Sequence, residues 1–216
     1  MVPRAPRGFQ RRRSWTATPF AALDFETTGL DFDRDRIVSF GVVPIDGGVV
    51  RELLGAYSLV DPGPVPVSDV SRAIHGLGPE ELRDAPPANV ARASLRDALA
   101  GRVLITWNGI VEAAFLARLF GTSARTWLRR SVDVRWFVIA LLGPDAAALT
   151  LSEAAARFDV PVTAPHHALD DALVTANLFV ATATALSAGG GLRSTRDAMR
   201  IGRARGLTAR RSLIPR

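Results

Sequence analysis

Phe20-Ala-Ala-Leu-Asp24-Phe-Glu26-Thr27-Thr28-Gly29 is the stretch on which the reading of this chain turns. It opens as a short apolar run with a hint of two-residue period, which predicts a buried strand. The run closes on two carboxylates at i and i+2, and a strand places such a pair on one face, close together. Like charges at the end of an apolar run are costly to bury unless a cation neutralises them. Asp24 and Glu26 are therefore candidate metal ligands, against the plainer reading of a solvated strand end. Thr27-Thr28-Gly29 predicts a tight turn whose backbone N–H groups are available to a phosphate or sugar.

Outward from this stretch, Arg36 to Ile45 reads as a second strand, and Asp46-Gly47-Gly48 is a hairpin signal. Val49 to Val60 completes three antiparallel strands. Asp61-Pro-Gly-Pro-Val-Pro is an extended connector closed to helix. Beyond it, Asn89 to Leu99 has an amphipathic helical pattern. Arg102 to Trp107 predicts a fourth strand and Ile110 to Phe120 a helix, and a further element begins at Val132. Leu151 to Phe158 predicts a short helix capped from Thr150 or Ser152. The last core helix starts near Leu169 and stops before Gly189-Gly190-Gly191. Strands first and then a mixture predict an α/β fold, a mixed sheet flanked by helices. The expected organisation is a basic disordered arm (1–18), one domain (19–188) and a Gly/Arg-rich tail (189–216) with weak helical tendency.

Composition narrows the function. A chain of 216 residues with 48% hydrophobic content can bury one real core. With no cysteine, disulfides and thiolate metal sites are excluded, and a cytoplasmic setting is expected. No charged segment followed by an apolar one opens the chain as a secretory signal would. The most apolar stretch, Ala172 to Ala188, falls short of the roughly 20 residues of a membrane span and reads as a buried helix. The net charge of +6 is unevenly spread: residues 1–13 hold five Arg and no acid, and 189–216 hold eight Arg and one acid, leaving the middle at −6. Every one of the 27 basic residues is Arg, a bias more in keeping with GC-rich coding than with guanidinium chemistry. Basic arms on an acidic body suit a polyanion held through its phosphates.

A second constellation is Pro165-His166-His167-Ala-Leu-Asp170-Asp171, at the mouth of the last helix. A His just ahead of a helix can overhang a site that an acid of the first turn helps to build. Its ordinary pKa of about 6.5 suits a general base. Alone, the cluster reads equally well as a capped, exposed helix start.

Taken together, the two constellations resemble the DEDDh (DnaQ-like) 3′→5′ exonucleases, among them the proofreading epsilon subunit of bacterial DNA polymerase III. Asp24-x-Glu26-Thr-Thr-Gly29 matches the family's opening motif, and His166-x-Ala-x-x-Asp171 its closing one. Asp61-Pro with Ile74-His75-Gly76-Leu77 is similar to its "NP … HG" segment, Val132-Asp133 to its "VDT" element, and Leu149 to Phe158 to its "SL…LA" helix. The likeness runs from about residue 20 to 186. One motif departs: where the family writes His-Asn-x-x-Phe-Asp, this chain has Trp107-Asn108-Gly-Ile-Val-Glu112. Glu112 keeps the charge with one more methylene, and Trp107, unable to take a proton, reads as packing or a stacking surface.

The resemblance implies a ribonuclease H-like mixed five-stranded sheet and two-metal hydrolysis of DNA 3′ ends. Asp24, Glu26, Asp171 and Glu112 would hold two ions, Mg²⁺ or Mn²⁺, and His166 would be the base. Thr27, Thr28, Gly29, His75 and Asn108 would bind substrate, although His75 reads equally as a packing residue. His167 competes with His166 and Asp170 with Asp171, and helical phase should turn one acid inward and one outward. Asp133 and Asp61 read as structural. Gly109 is expected to give the helix carrying Glu112 the latitude that the longer acid needs. The partners implied are nucleic acid and, as a candidate, a DNA polymerase, with no membrane. The alternatives are an exoribonuclease of the same family and a catalytically weakened module that binds nucleic acid or a polymerase.

Overall fold

The computed structural model describes residues 13–203. The basic segments 1–12 and 204–216, including most of the expected disordered arm, lie outside the described residues.

Strand β1 (Phe20–Thr27) is central, pairing antiparallel with β2 (Ile37–Asp46) and parallel with β5 (Val103–Thr106), which in turn pairs parallel with β6 (Ser131–Asp133). The expected single third strand is interrupted. β3 (Val49–Val50) and β4 (Ala56–Leu59) both pair with β2, and a 3₁₀ turn at Glu52–Leu54 separates them. That turn buries none of its residues, so nothing apolar holds the backbone in register there. One interrupted strand and four continuous ones make up the mixed sheet.

Period-two alternation sorts β1 between two cores. Phe20 and Ala22 face the side of α7 (Ala168–Ala188) and α5 (Arg135–Leu142), where Phe20, Phe137 and Phe179 are in ring contact or near it. Ala21, Leu23 and Phe25 face the other side, packing with Leu95 of α2 (Ala88–Ala98), Leu116 of α3 (Ile110–Phe120) and Trp127 of α4 (Ala124–Leu128). Asp24 and Glu26 continue the Phe20–Ala22 row, so the face that is core at one end of β1 becomes acidic at the other.

The helix α7 is 21 residues long and apolar enough, by length and composition, to cross a membrane. Its bounds agree with the expected start near Leu169 and stop before Gly189, and its first turn contains Asp170 and Asp171. Ala172, Ala176, Leu178, Phe179 and Ala183 are nevertheless buried against the sheet, as a core helix requires. Three helices escaped the sequence pattern or exceeded it. The helix α1 (Asp69–His75) is capped by Ser68 and closed by Gly76 at φ 75°. The short α4 is capped by Ser123. The tail expected to be at most weakly helical builds α8 (Thr195–Ile201), with a capping box between Ser194 and Asp197 and with Ala198 and Met199 buried. The expected cap of α6 (Leu151–Ala156) is Thr150, in a capping box with Glu153.

The folded unit extends past both expected bounds. Trp15 is buried with its ring edge-on to Phe179 at 6.0 Å. Ser14 bridges to Ser194, and the Thr18 and Thr195 hydroxyls are hydrogen-bonded. The segments flanking the domain thus hold each other in place.

Candidate active site

Asp24, Glu26 and Asp171 each offer a carboxylate oxygen, and these oxygens lie within 4.8 Å of one another. The sequence brings them together through a glycine far from both motifs. Gly41 of β2 is the cross-strand neighbour of Asp24, and a Cβ there would collide with the carbonyl of Ala168 and the Cα of Leu169. The first turn of α7 therefore lies directly on the sheet backbone, and Asp171 comes down beside the β1 acids. An isolated glycine inside a strand is the signal that could have found it.

Glu112 joins from the opposite core. It sits in the first turn of α3, is 4% exposed, and its Oε2 has no hydrogen-bond partner. Its charge is among those acting on Asp24. The start of α3 is fixed by Asp133, whose Oδ1 accepts from the N–H groups of Asn108 (3.1 Å) and Arg135 (3.0 Å), tying α3 and α5 to β6. Asn108 adopts φ 55°, a left-handed conformation that Asn tolerates. Gly109 serves a different purpose from the latitude expected of it. Its φ is an ordinary −54°, and a Cβ would strike the Thr106 hydroxyl, so it is needed for closeness. Trp107 is partly buried against the core on the α7 side.

The doubled residues at the start of α7 separate cleanly. His167 stacks on Tyr57 with ring centroids 4.6 Å apart, and its Nδ1 lies 2.7 Å from Asp170 Oδ2. Asp170 also accepts a 2.6 Å hydrogen bond from the Thr163 hydroxyl, so it faces away from Asp24. Asp171 faces inward, accepting the backbone N–H of His166 at 3.0 Å. His166 is exposed at φ 64°, near enough to His75 and Asp171 for its charge to act on both.

The loop after β1 is held from within. The Thr27 hydroxyl donates to the Gly29 carbonyl at 2.8 Å. Thr28 is fully buried: its N–H donates to the Arg36 carbonyl (2.8 Å) and its hydroxyl to Asp35 Oδ1 (2.7 Å). A Cβ on Gly29 would collide with Asp35. The hydroxyl and N–H of Thr28 are thus both engaged within the protein, and Gly29 makes room for Asp35. His75 accepts the Leu77 N–H at Nδ1 (3.1 Å), which leaves Nε2 to donate to the Thr27 carbonyl (3.1 Å). Burial pushes its pKa down, so the ring is the neutral Nε2–H tautomer, bracing the end of β1. Asp61 accepts the Gly63 N–H at 2.8 Å in a turn, away from the acids.

The electrostatics of the cluster favour a cation. Burial, then the charges of Glu112, Glu26 and Asp171, hold the Asp24 carboxyl well above the usual range. Burial, then Asp171, pushes Glu26 up to about 7. Burial pushes Glu112 up to about 8, and Asp171 is raised as well, chiefly by burial. Three clustered carboxyls with raised pKa values, and a fourth in Glu112 whose buried Oε2 is unpartnered and whose charge acts on Asp24, fit a hard divalent cation, which takes oxygen ligands and cancels the repulsion.

An exonuclease family model matches residues 21–179 of the chain. The epsilon subunit of DNA polymerase III from Treponema pallidum is 29% identical over 163 residues, 74% of each chain. The PolC-type DNA polymerase III of Thermotoga maritima is 26% identical over 168 residues, covering 74% of this chain. The chain spans only 12% of the length of that polymerase. Among solved structures, the nuclease domain of 3′hExo, a DEDDh family member bound to rAMP, superposes with a TM-score of 0.68 at 17% identity, over 84% of this chain and 98% of that one. Escherichia coli exonuclease I in complex with a dT13 oligonucleotide gives 0.68 at 14% identity, over 80% of this chain and 42% of that one. These likenesses bear out the expected ribonuclease H-like α/β fold and the family resemblance of the motifs.

Proposed function

The chain belongs to the exonuclease family, and from that premise we propose that it removes nucleotides from DNA 3′ ends, using two Mg²⁺ or Mn²⁺ ions. The observation that carries this reading is the convergence of Asp24, Glu26 and Asp171 within 4.8 Å. These three would hold the ions, with Glu112 completing the set from α3. Bound there, divalent ions stabilise the charge on the attacking and leaving oxygens of an in-line displacement.

The remaining work belongs to the protein. His166, exposed at the mouth of the site, accepts a proton from the attacking water. The engagement of His167 with Tyr57 and Asp170 supports His166 in that role over its neighbour. Asn108, exposed at the start of α3, would meet the substrate strand. Similarity to a polymerase epsilon subunit supports a DNA polymerase as a partner.

The test is digestion of 5′-labelled single-stranded DNA, duplex DNA and RNA of matched sequence. The expected result is Mg²⁺-dependent shortening from the 3′ end with mononucleotide products, DNA preferred, lost with EDTA and in Asp24→Ala. Preference for RNA would make the chain an exoribonuclease. Absence of hydrolysis with either metal would leave a nucleic-acid-binding module.

A further inference from the structure

Across the middle of the sheet, one row of residues shares the face that receives α7. Asp24 of β1 is paired with Gly41 of β2, and Gly41 with Tyr57 of β4. The row reads acid, notch, aromatic. Into the notch fits the backbone of Ala168 and Leu169, where a Cβ on Gly41 would stand. On one side of the notch, Asp171 meets Asp24 and Glu26. On the other, His167, the residue that begins the helix, stacks on Tyr57 with the rings 26° from parallel.

We propose that Gly41, Tyr57 and His167 form a seat that fixes the height and rotation of α7, and thereby positions Asp171 and His166. The inference rests on the function proposed above. Gly41 sets how close the helix lies to the sheet. Rotation about the helix axis is what a notch cannot set, and the Tyr57–His167 stack sets it, four residues and about one turn before Asp171. The Asp170 contact to His167 Nδ1 and the Thr163 hydrogen bond to Asp170 hold the ring in that stack. His166, lying between the stacked ring and the Pro165 loop, is turned to the mouth of the site with φ 64°. His167 is thus a positioning residue, and a planar ring is what the position requires.

The experiment compares His167→Ala, His167→Phe, Tyr57→Phe and Tyr57→Ser with the parent, by oligonucleotide kinetics and by Mn²⁺ titration. Misplacement of a reacting group by about 1 Å costs on the order of 100-fold, so kcat of His167→Ala and Tyr57→Ser should fall about 10- to 100-fold while KM stays within about twofold. Mn²⁺ affinity should weaken in the same two variants, because Asp171 shifts. His167→Phe and Tyr57→Phe keep the stack and should recover most of both. Melting curves establish that each variant is folded. The proposal is overturned if folded His167→Ala keeps the parent's kcat and Mn²⁺ affinity. It is equally overturned if His167→Phe is as impaired as His167→Ala, since the imidazole itself would then be required. A parent that hydrolyses nothing defeats the functional reading, and the Mn²⁺ titration still decides whether the seat positions Asp171.

Discussion

Raising the pH in the absence of divalent metal should destabilise this protein, and Glu26 allows the size of the effect to be worked out. Its carboxyl titrates near 4.5 in an unfolded chain and near 7 in the folded one, pushed up by burial and by Asp171, and the residue is 9% exposed. Between those values the folded state binds the proton more tightly than the unfolded state. Folding is therefore favoured at the acid end, and stability is lost as pH rises through about 4.5 to about 7. The displacement corresponds to about 3 kcal/mol, or about 6–12 °C in melting temperature for a domain of this size. Asp24, Asp171 and Glu112 are shifted in the same direction, and Glu112 extends the decline to about 8. The assay is thermal melting in EDTA from about pH 5 to about pH 8, repeated with saturating Mg²⁺ or Mn²⁺. Melting temperature should fall steeply with pH in EDTA and much less with metal, and Glu26→Gln should flatten the EDTA curve. A flat curve for the parent in EDTA, or a Glu26→Gln curve as steep as the parent's, would show that Glu26 is not held protonated by burial.

Other perturbations probe separate parts of the account. Glu112→Ala should remove most activity, by about 100-fold, whereas Glu112→Asp should keep some or improve on the parent; equal rates for Glu112→Ala and the parent in a steady-state assay would exclude Glu112 as a ligand. Deleting residues 1–12 and 204–216 should flatten the salt dependence of DNA binding without changing the direction of cleavage, and an unchanged slope would assign the Arg-rich ends another purpose. Trp15→Ala should cost about 3–5 kcal/mol in denaturant unfolding, because the ring is buried against Phe179; a loss under about 1 kcal/mol would restore a boundary near residue 19.

Much of the site is legible in sequence because it is local. The i, i+2 spacing of Asp24 and Glu26 needs only a strand to bring them together, and the seven residues around His166 and Asp171 need only a helix start. The separation of the doubled His and Asp residues is only half local. Helical phase says that one acid turns inward, but which one depends on Gly41 and Tyr57, far away in sequence and joined by strand pairing. The same holds for the loop after β1. The turn offers its backbone N–H groups to a phosphate, but that of Thr28 is taken by the Arg36 carbonyl, eight positions on. Among the elements, α1 and α4 are too short for a periodic pattern, and their signal lies in the caps Ser68 and Ser123. The α8 helix is hidden by Arg-rich composition, although Ser194 and Asp197 spell a capping box. The signal for the break between β3 and β4 is Gly55, an isolated glycine within the expected strand whose N–H closes the turn on the Glu52 carbonyl, beside Leu53 and Leu54, which the structure leaves exposed.

We propose that Asp24, Glu26, Asp171 and Glu112 together hold divalent metal. Anomalous diffraction from crystals grown with Mn²⁺ puts this to the test. Anomalous density should appear between the Asp24, Glu26 and Asp171 carboxylates, with Glu112 Oε2 turned towards it, and none there in Asp24→Ala crystals. Mn²⁺ bound elsewhere, with Asp171 turned away from Asp24, would contradict it.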